Sequence, residues 1–144
     1  MHKLSDNLEV RYVGALVAAG SAIDNNSTII DMQNYESVMF VAAITDSVAT
    51  GVATLTIQSS DANSDGAMAA VTGTAVSKTS ATNDDINGTV LISEIYHPDK
   101  RYVQATRSSA TANIAYGDIV AVLKPRQKPS VNGATVSGLA SAAN

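Results

Sequence analysis

Cysteine is absent from the 144 residues, which excludes a disulfide framework, a thiolate nucleophile and any cysteine-based zinc site. Packing and hydrogen bonding must hold the fold instead, and a chain of this length can bury roughly 68–70% of its unfolded surface. Tryptophan is also absent, which removes one of the rings that stack on sugars. Charged residues make up only 15% of the chain, against roughly 25% in ordinary soluble domains. Serine, threonine, asparagine and aspartate must therefore supply the polar surface, and a surface with few charges suits contact with other protein. No apolar run approaches the roughly 20 residues that span a bilayer, and Met1 to Asp6 lack the apolar segment of a signal peptide. A soluble chain with no membrane partner is expected.

Catalytic groups are equally sparse. Only His2 and His97 offer an imidazole base, the first near a terminus and the second before Pro98 in a turn, where a surface or capping role is expected. Asp84 and Asp85 are adjacent, and neighbours on a strand point to opposite faces, so they make a poor acid/base pair. The glycines form neither GxGxxG nor GxxxxGK[ST], which leaves nucleotide binding unsupported. The body is acidic, and the tyrosines are dispersed over positions 12, 35, 96, 102 and 116, so no nucleic-acid partner is expected. The chain reads as a protein that is not an enzyme.

What the chain does contain is strand pattern. In 52–58, Ala53, Leu55 and Ile57 alternate with Thr54, Thr56 and Gln58, the period of a half-buried strand. Further strands are expected over 8–16, 28–32, 38–45, 68–76, 89–96, 101–108 and 114–123, with turn signals at 24–26, 46–47, 61–66, 82–85, 87–88, 97–99 and 116–118. Gly117-Asp118 marks a bulge or bend inside the last strand. The longest apolar run, Val38 to Ile44, follows a polar turn and predicts a central buried strand. About eight short strands without an amphipathic helix predict an all-β fold, an antiparallel β-sandwich or jelly-roll-like barrel. This domain covers 1–124 with a short N-terminal arm, and 125–144 forms an extended or flexible C-terminal tail. Pro125 and Pro129 block a ladder there, and the rest is rich in small polar residues. The tail is basic, with Lys124, Arg126 and Lys128 and no acid after position 123, whereas 1–123 carry six basic and 13 acidic side chains.

One motif names a ligand. Asp61-Ala62-Asn63-Ser64-Asp65-Gly66 matches the first half of an EF-hand calcium loop, but position twelve is Thr72 where a bidentate glutamate is required. A polar turn is the expected reading, with no metal and no cofactor.

Taken together, Ile30-Asp31-Met32-Gln33-Asn34-Tyr35-Glu36-Ser37-Val38-Met39-Phe40, the Asp-rich loop 61–66 and Lys100-Arg101-Tyr102-Val103 resemble, in order and spacing, a family of tailed-phage capsid decoration or cement proteins. The likeness covers about 28–124. It implies a virion protein, assembled in the host cytoplasm, that binds the major capsid protein on the outer capsid surface and stabilises the shell. A homo-oligomer, guessed as a trimer, would cover exposed strand edges. Candidate interface residues are Tyr35, Tyr96, Tyr102 and the tail residues Val131, Val136 and Leu139. Arg101 and Arg107 share one face of their strand and are expected to pair with acids of a neighbour. The alternative is a receptor- or glycan-binding β-sandwich of a phage spike or fibre, against which the absence of tryptophan and the scatter of tyrosine weigh.

Overall fold

The computed structural model describes residues 3–127 and 136–142. After a single helical turn, α1 (Leu4–Asn7), the order is β1 (Glu9–Gly14), β2 (Val17–Gly20), β3 (Asp24–Asn26), β4 (Ile30–Asp31), β5 (Tyr35–Ser47) and β6 (Val52–Ser60). A 3-10 turn (Asp65–Ala67) leads to β7 (Ala69–Ala70), β8 (Val76–Thr79), β9 (Val90–Tyr96), β10 (Tyr102–Ala110) and β11 (Ile114–Pro125). All pairings are antiparallel, in two sheets. Sheet A runs β1-β11-β5-β9, with β2 also on β11; sheet B runs β3-β10-β6-β7, with β4 on β10 and β8 on β6. The chain is a β-sandwich, as its alternating pattern predicts.

The core lies between the sheets. Val38, Phe40, Ala42 and Ile44 of β5 and Ile119, Ala121 and Leu123 of β11 face Ala53, Leu55 and Ile57 of β6 and Val103 and Ala105 of β10, all fully buried. Alternation brings every second residue of each strand into this layer.

The expected strands differ from the observed ones in several places: β2 was not expected, and β5 runs through the turn signal at 46–47. The turn signal at 24–26 forms β3, an edge strand whose polar side chains bond across to β10. The expected strand 68–76 supplies only Ala69–Ala70 and the start of β8, because Thr74 folds its hydroxyl onto the carbonyls of Val71 and Ile57. β11 runs through to Pro125, opposite Tyr35, and the Arg126 N–H then donates to the Asn34 carbonyl at 2.9 Å. Pro125 sits at a register irregularity, where a strand tolerates proline. The Gly117-Asp118 irregularity is present: Tyr116 faces Ile44 and Ile119 faces Ala42, so β11 carries one residue more than β5 there.

Candidate interaction surface

The two sheets turn different chemistry outward. On sheet B the outward residues pair Thr56 with Thr106, Thr54 with Ser108 and Gln58 with Gln104. The Asp-rich loop folds over this polar face, where the Asp65 carboxylate accepts from Asn26 Nδ2 at 2.7 Å and Gln104 Nε2 at 2.8 Å. Asp61 instead pairs with Lys100 at 2.6 Å. The loop's carboxylates therefore tie the chain to itself, and among the described residues no group of three or more His, Cys, Asp or Glu stands where it could hold a metal.

On sheet A the outward residues are mostly apolar, with Ser37, Glu94 and Lys124 towards one end. Register places Tyr12, Val120, Val41 and Ile92 side by side across four strands, with Val10, Val122, Met39 and the single carboxylate Glu94 in the next row and Ala43 beside Val90. Tyr12 is 45% exposed, Val90 51% and Ile92 48%. The cause is in the strands: β5 and β11 are apolar at consecutive positions, so the residues that do not reach the core must face outward. A contiguous apolar face of this kind marks an interaction site more often than single exposed side chains do. At one end the face runs into a groove of about 440 Å³ formed by Leu4, Leu8, Val10 and Val122 with Val136 and Leu139 of the C-terminal segment.

The residues singled out in the sequence scatter around this face. Tyr96 ends β9, 62% exposed, its ring stacked 3.9 Å from that of His97. Its hydrogen bond to Glu36 raises the pKa of the phenol. His97 adopts φ 51°, an uncommon backbone for a non-glycine residue, and lines a shallow cleft of about 500 Å³ with Ser59, Asp99 and Lys100. Tyr35 is engaged within the chain, donating its hydroxyl to Glu9 Oε2 and accepting from Arg11 Nη2 at 3.0 Å. Burial, then the Glu9 hydrogen bond, raises its pKa. Arg101 forks onto its own chain's Asp31 at 3.0 and 2.9 Å and lies over the half-buried ring of Tyr102. That hydrogen bond holds the Asp31 carboxyl below its usual pKa. Val136 is half-buried and Leu139 is 62% exposed. Val131 and His2 lie outside the described residues.

Arg107 corrects its expectation outright. It is 1% exposed, and its guanidinium donates to the carbonyls of Gly117 at 2.6 Å and Ala15 at 2.8 Å and to Asn25 Oδ1 at 2.7 Å. Position 107 alternates inward on β10, so this side chain cannot reach a neighbour's acid. Desolvation lowers its pKa. Sequence reasoning missed the apolar outer face itself, although its signal was present: an uninterrupted run such as Val38 to Ile44 offers apolar side chains to both sides of a sheet.

No family model matches this chain, and no curated protein matches it. Among solved structures, the PBSX exported protein XepA is similar over 99% of this chain at 18% identity and a TM-score of 0.55. The chain spans 46% of that protein's length, and the likeness shows a shared fold. An infectious bursal disease virus structure is similar over 83% of this chain at 12% identity and a TM-score of 0.45. A tailspike protein 4 domain of bacteriophage CBA120 is similar over 84% at 13% identity and a TM-score of 0.39. The latter two bear on neither fold nor function.

Proposed function

We propose that this chain is a structural protein of a phage particle that binds the outer surface of the capsid and cements it. The observation that carries the reading is the apolar outer face of sheet A, which a chain working alone in water has no reason to keep. The resemblance of 28–124 to phage decoration proteins points the same way, as does the low charge content. The partner is the major capsid protein. Each copy bridges neighbouring capsomers through Met39, Val41 and Ile92, and many modest contacts together raise the barrier to shell rupture. The test is co-sedimentation of the purified chain with heads that lack it: the chain pellets with heads, and failure to do so at every salt concentration overturns the reading.

One observation favours a second reading. The exposed Tyr96–His97 stack beside its cleft is the kind of aromatic platform on which a sugar ring sits, as a spike or fibre module would need. Copy number separates the two, with hundreds per particle for a cement protein and few for a spike.

A further inference from the structure

β9 is the outer strand of sheet A, and its hydrogen bonds to β5 are bracketed at both ends. Ile44 N–H donates to the Thr89 carbonyl at 2.9 Å, and His97 N–H to the Glu36 carbonyl at 2.9 Å. In an antiparallel ladder bonded positions alternate, so Leu91, Ser93 and Ile95 bond to β5. Val90, Ile92, Glu94 and Tyr96 direct their N–H and C=O away from the sheet, and β5 is the only strand that pairs with β9 among the described residues. The usual protections of an edge are missing: the strand is seven residues long, contains no proline or lysine, and carries a single charge, Glu94. It is also held rigidly, because Ser93 anchors its inner side to the Thr74 carbonyl at 2.6 Å and Leu91 is buried in the core.

We propose that β9 pairs with β9 of a second copy, antiparallel about a two-fold axis at Ser93, joining two A sheets into one. The register follows from the side chains. With the axis at Ser93, Ile92 faces Glu94 of the other copy, Val90 faces Tyr96, and all four edge residues exchange their backbone hydrogen bonds. Val90 opposite Tyr96 is a favourable β-branched and aromatic pair. An axis at Glu94 would set the two carboxylates directly opposite each other, and an axis at Ile92 would leave Tyr96 without a strand partner. Because 90, 92, 94 and 96 all point to the outer face, pairing also makes the apolar faces of the two copies one continuous surface. A two-fold contact of this type closes at two copies, so a dimer replaces the trimer as the oligomer to seek. The inference needs no shell and stands apart from the cement reading.

Sedimentation of the purified chain without particles tests it. The wild-type chain sediments as a dimer at tens of micromolar, and Ile92→Pro and Glu94→Pro each weaken the dimer at least about tenfold. Both prolines remove an N–H that no bond to β5 uses, so the fold is retained. A wild-type monomer throughout, a trimer, or a dimer unmoved by either proline overturns the proposal. Should the proline variants fail to fold, Ile92→Cys with Glu94→Cys in this cysteine-free chain gives the same decision. Directly opposed residues lie about 5.5 Å apart at Cα, within disulfide reach. Mild oxidation then yields a covalent dimer, and its absence overturns the register.

Discussion

Arg107 brings a charged guanidinium between the sheets and finds three oxygen acceptors, two of them carbonyls freed by local irregularity. The Gly117 carbonyl is available because β11 bulges there, and the Ala15 carbonyl because β1 has just ended. Removing the side chain takes the donor from three partly buried acceptors, and each one that water cannot reach costs about 1–3 kcal/mol. Arg107→Ala is therefore expected to lower stability by roughly 2–4 kcal/mol, after allowing for the desolvation penalty the guanidinium itself carries. Arg107→Lys should not rescue it, since an ammonium is a compact charge without the planar fork. Urea midpoints of the three proteins check this, and wild-type stability in the lysine variant would contradict it. Nothing in the sequence separates this arginine from Arg101. Alternation gives both the same parity, but Arg101 precedes β10 and stays exposed, while Gly117, Ala15 and Asn25 hold Arg107 inside with only its Nε unpartnered.

Tyr116 gives a second prediction. Its ring is 1% exposed, its hydroxyl donates to the Ser108 carbonyl at 2.6 Å, and burial pushes its pKa up to about 12. A phenol in the unfolded chain ionises near 10. Between those values the unfolded chain has released the proton and the folded chain has kept it, so stability falls as pH rises. The contribution is intact below about pH 10 and declines by about 2–3 kcal/mol through pH 12. Ultraviolet titration should show one tyrosine of the five ionising above the rest. A steeper loss of stability with pH in the wild type than in Tyr116→Phe would accompany it.

Among the elements, β5 and β11 were the most legible and the least completely read. The apolar run of β5 predicted a central strand and 114–123 a strand with a bulge or bend, and both are found, but a continuous apolar run serves two faces and only one is the core. Short strands were less legible. β3 has a turn's composition, Asp24-Asn25-Asn26, and becomes a strand because β10 offers it partners, among them Arg107 and Thr106. Tertiary hydrogen bonding overrode local preference there. The β1–β11 contact yields a test of packing. A Cβ on Gly14 would stand 2.7 Å from Ile119 Cγ2 and 3.2 Å from Arg107 Nη2, while one on Gly66 would meet nothing within 4 Å. Gly14→Ala should therefore destabilise by about 1–3 kcal/mol, and Gly66→Ala should leave the midpoint within about 0.5 kcal/mol.

The whole molecule sets a polar, internally bonded sheet against an apolar one. Sheet B spends its outward polar groups on its own loop and neighbouring strands, through Asp65, Gln104 and Asn26. Sheet A leaves Met39, Val41, Val90 and Ile92 for something else to cover. Pairing at β9 widens that face without covering it, so a dimer would meet a shell with twice the apolar surface and gain avidity. Met39→Asp with Val41→Asp separates this from any role in folding. Both side chains point away from the core and lie on β5 between β11 and β9, so the cost to stability is lost packing with strand neighbours and, at position 39, a carboxylate set opposite Glu94. The melting temperature should fall by no more than a few degrees, because neither position contributes to the fully buried layer. Dimer formation should persist, since neither residue touches the free edge of β9. Binding to heads should be lost, because two carboxylates at the centre of an apolar contact must be desolvated without partners. Heads treated with the variant should then break at the same temperature as bare heads. Variant chains that still co-sediment and still protect the shell would move the attachment site off sheet A, leaving the Tyr96–His97 end of the sandwich as the surface to test next.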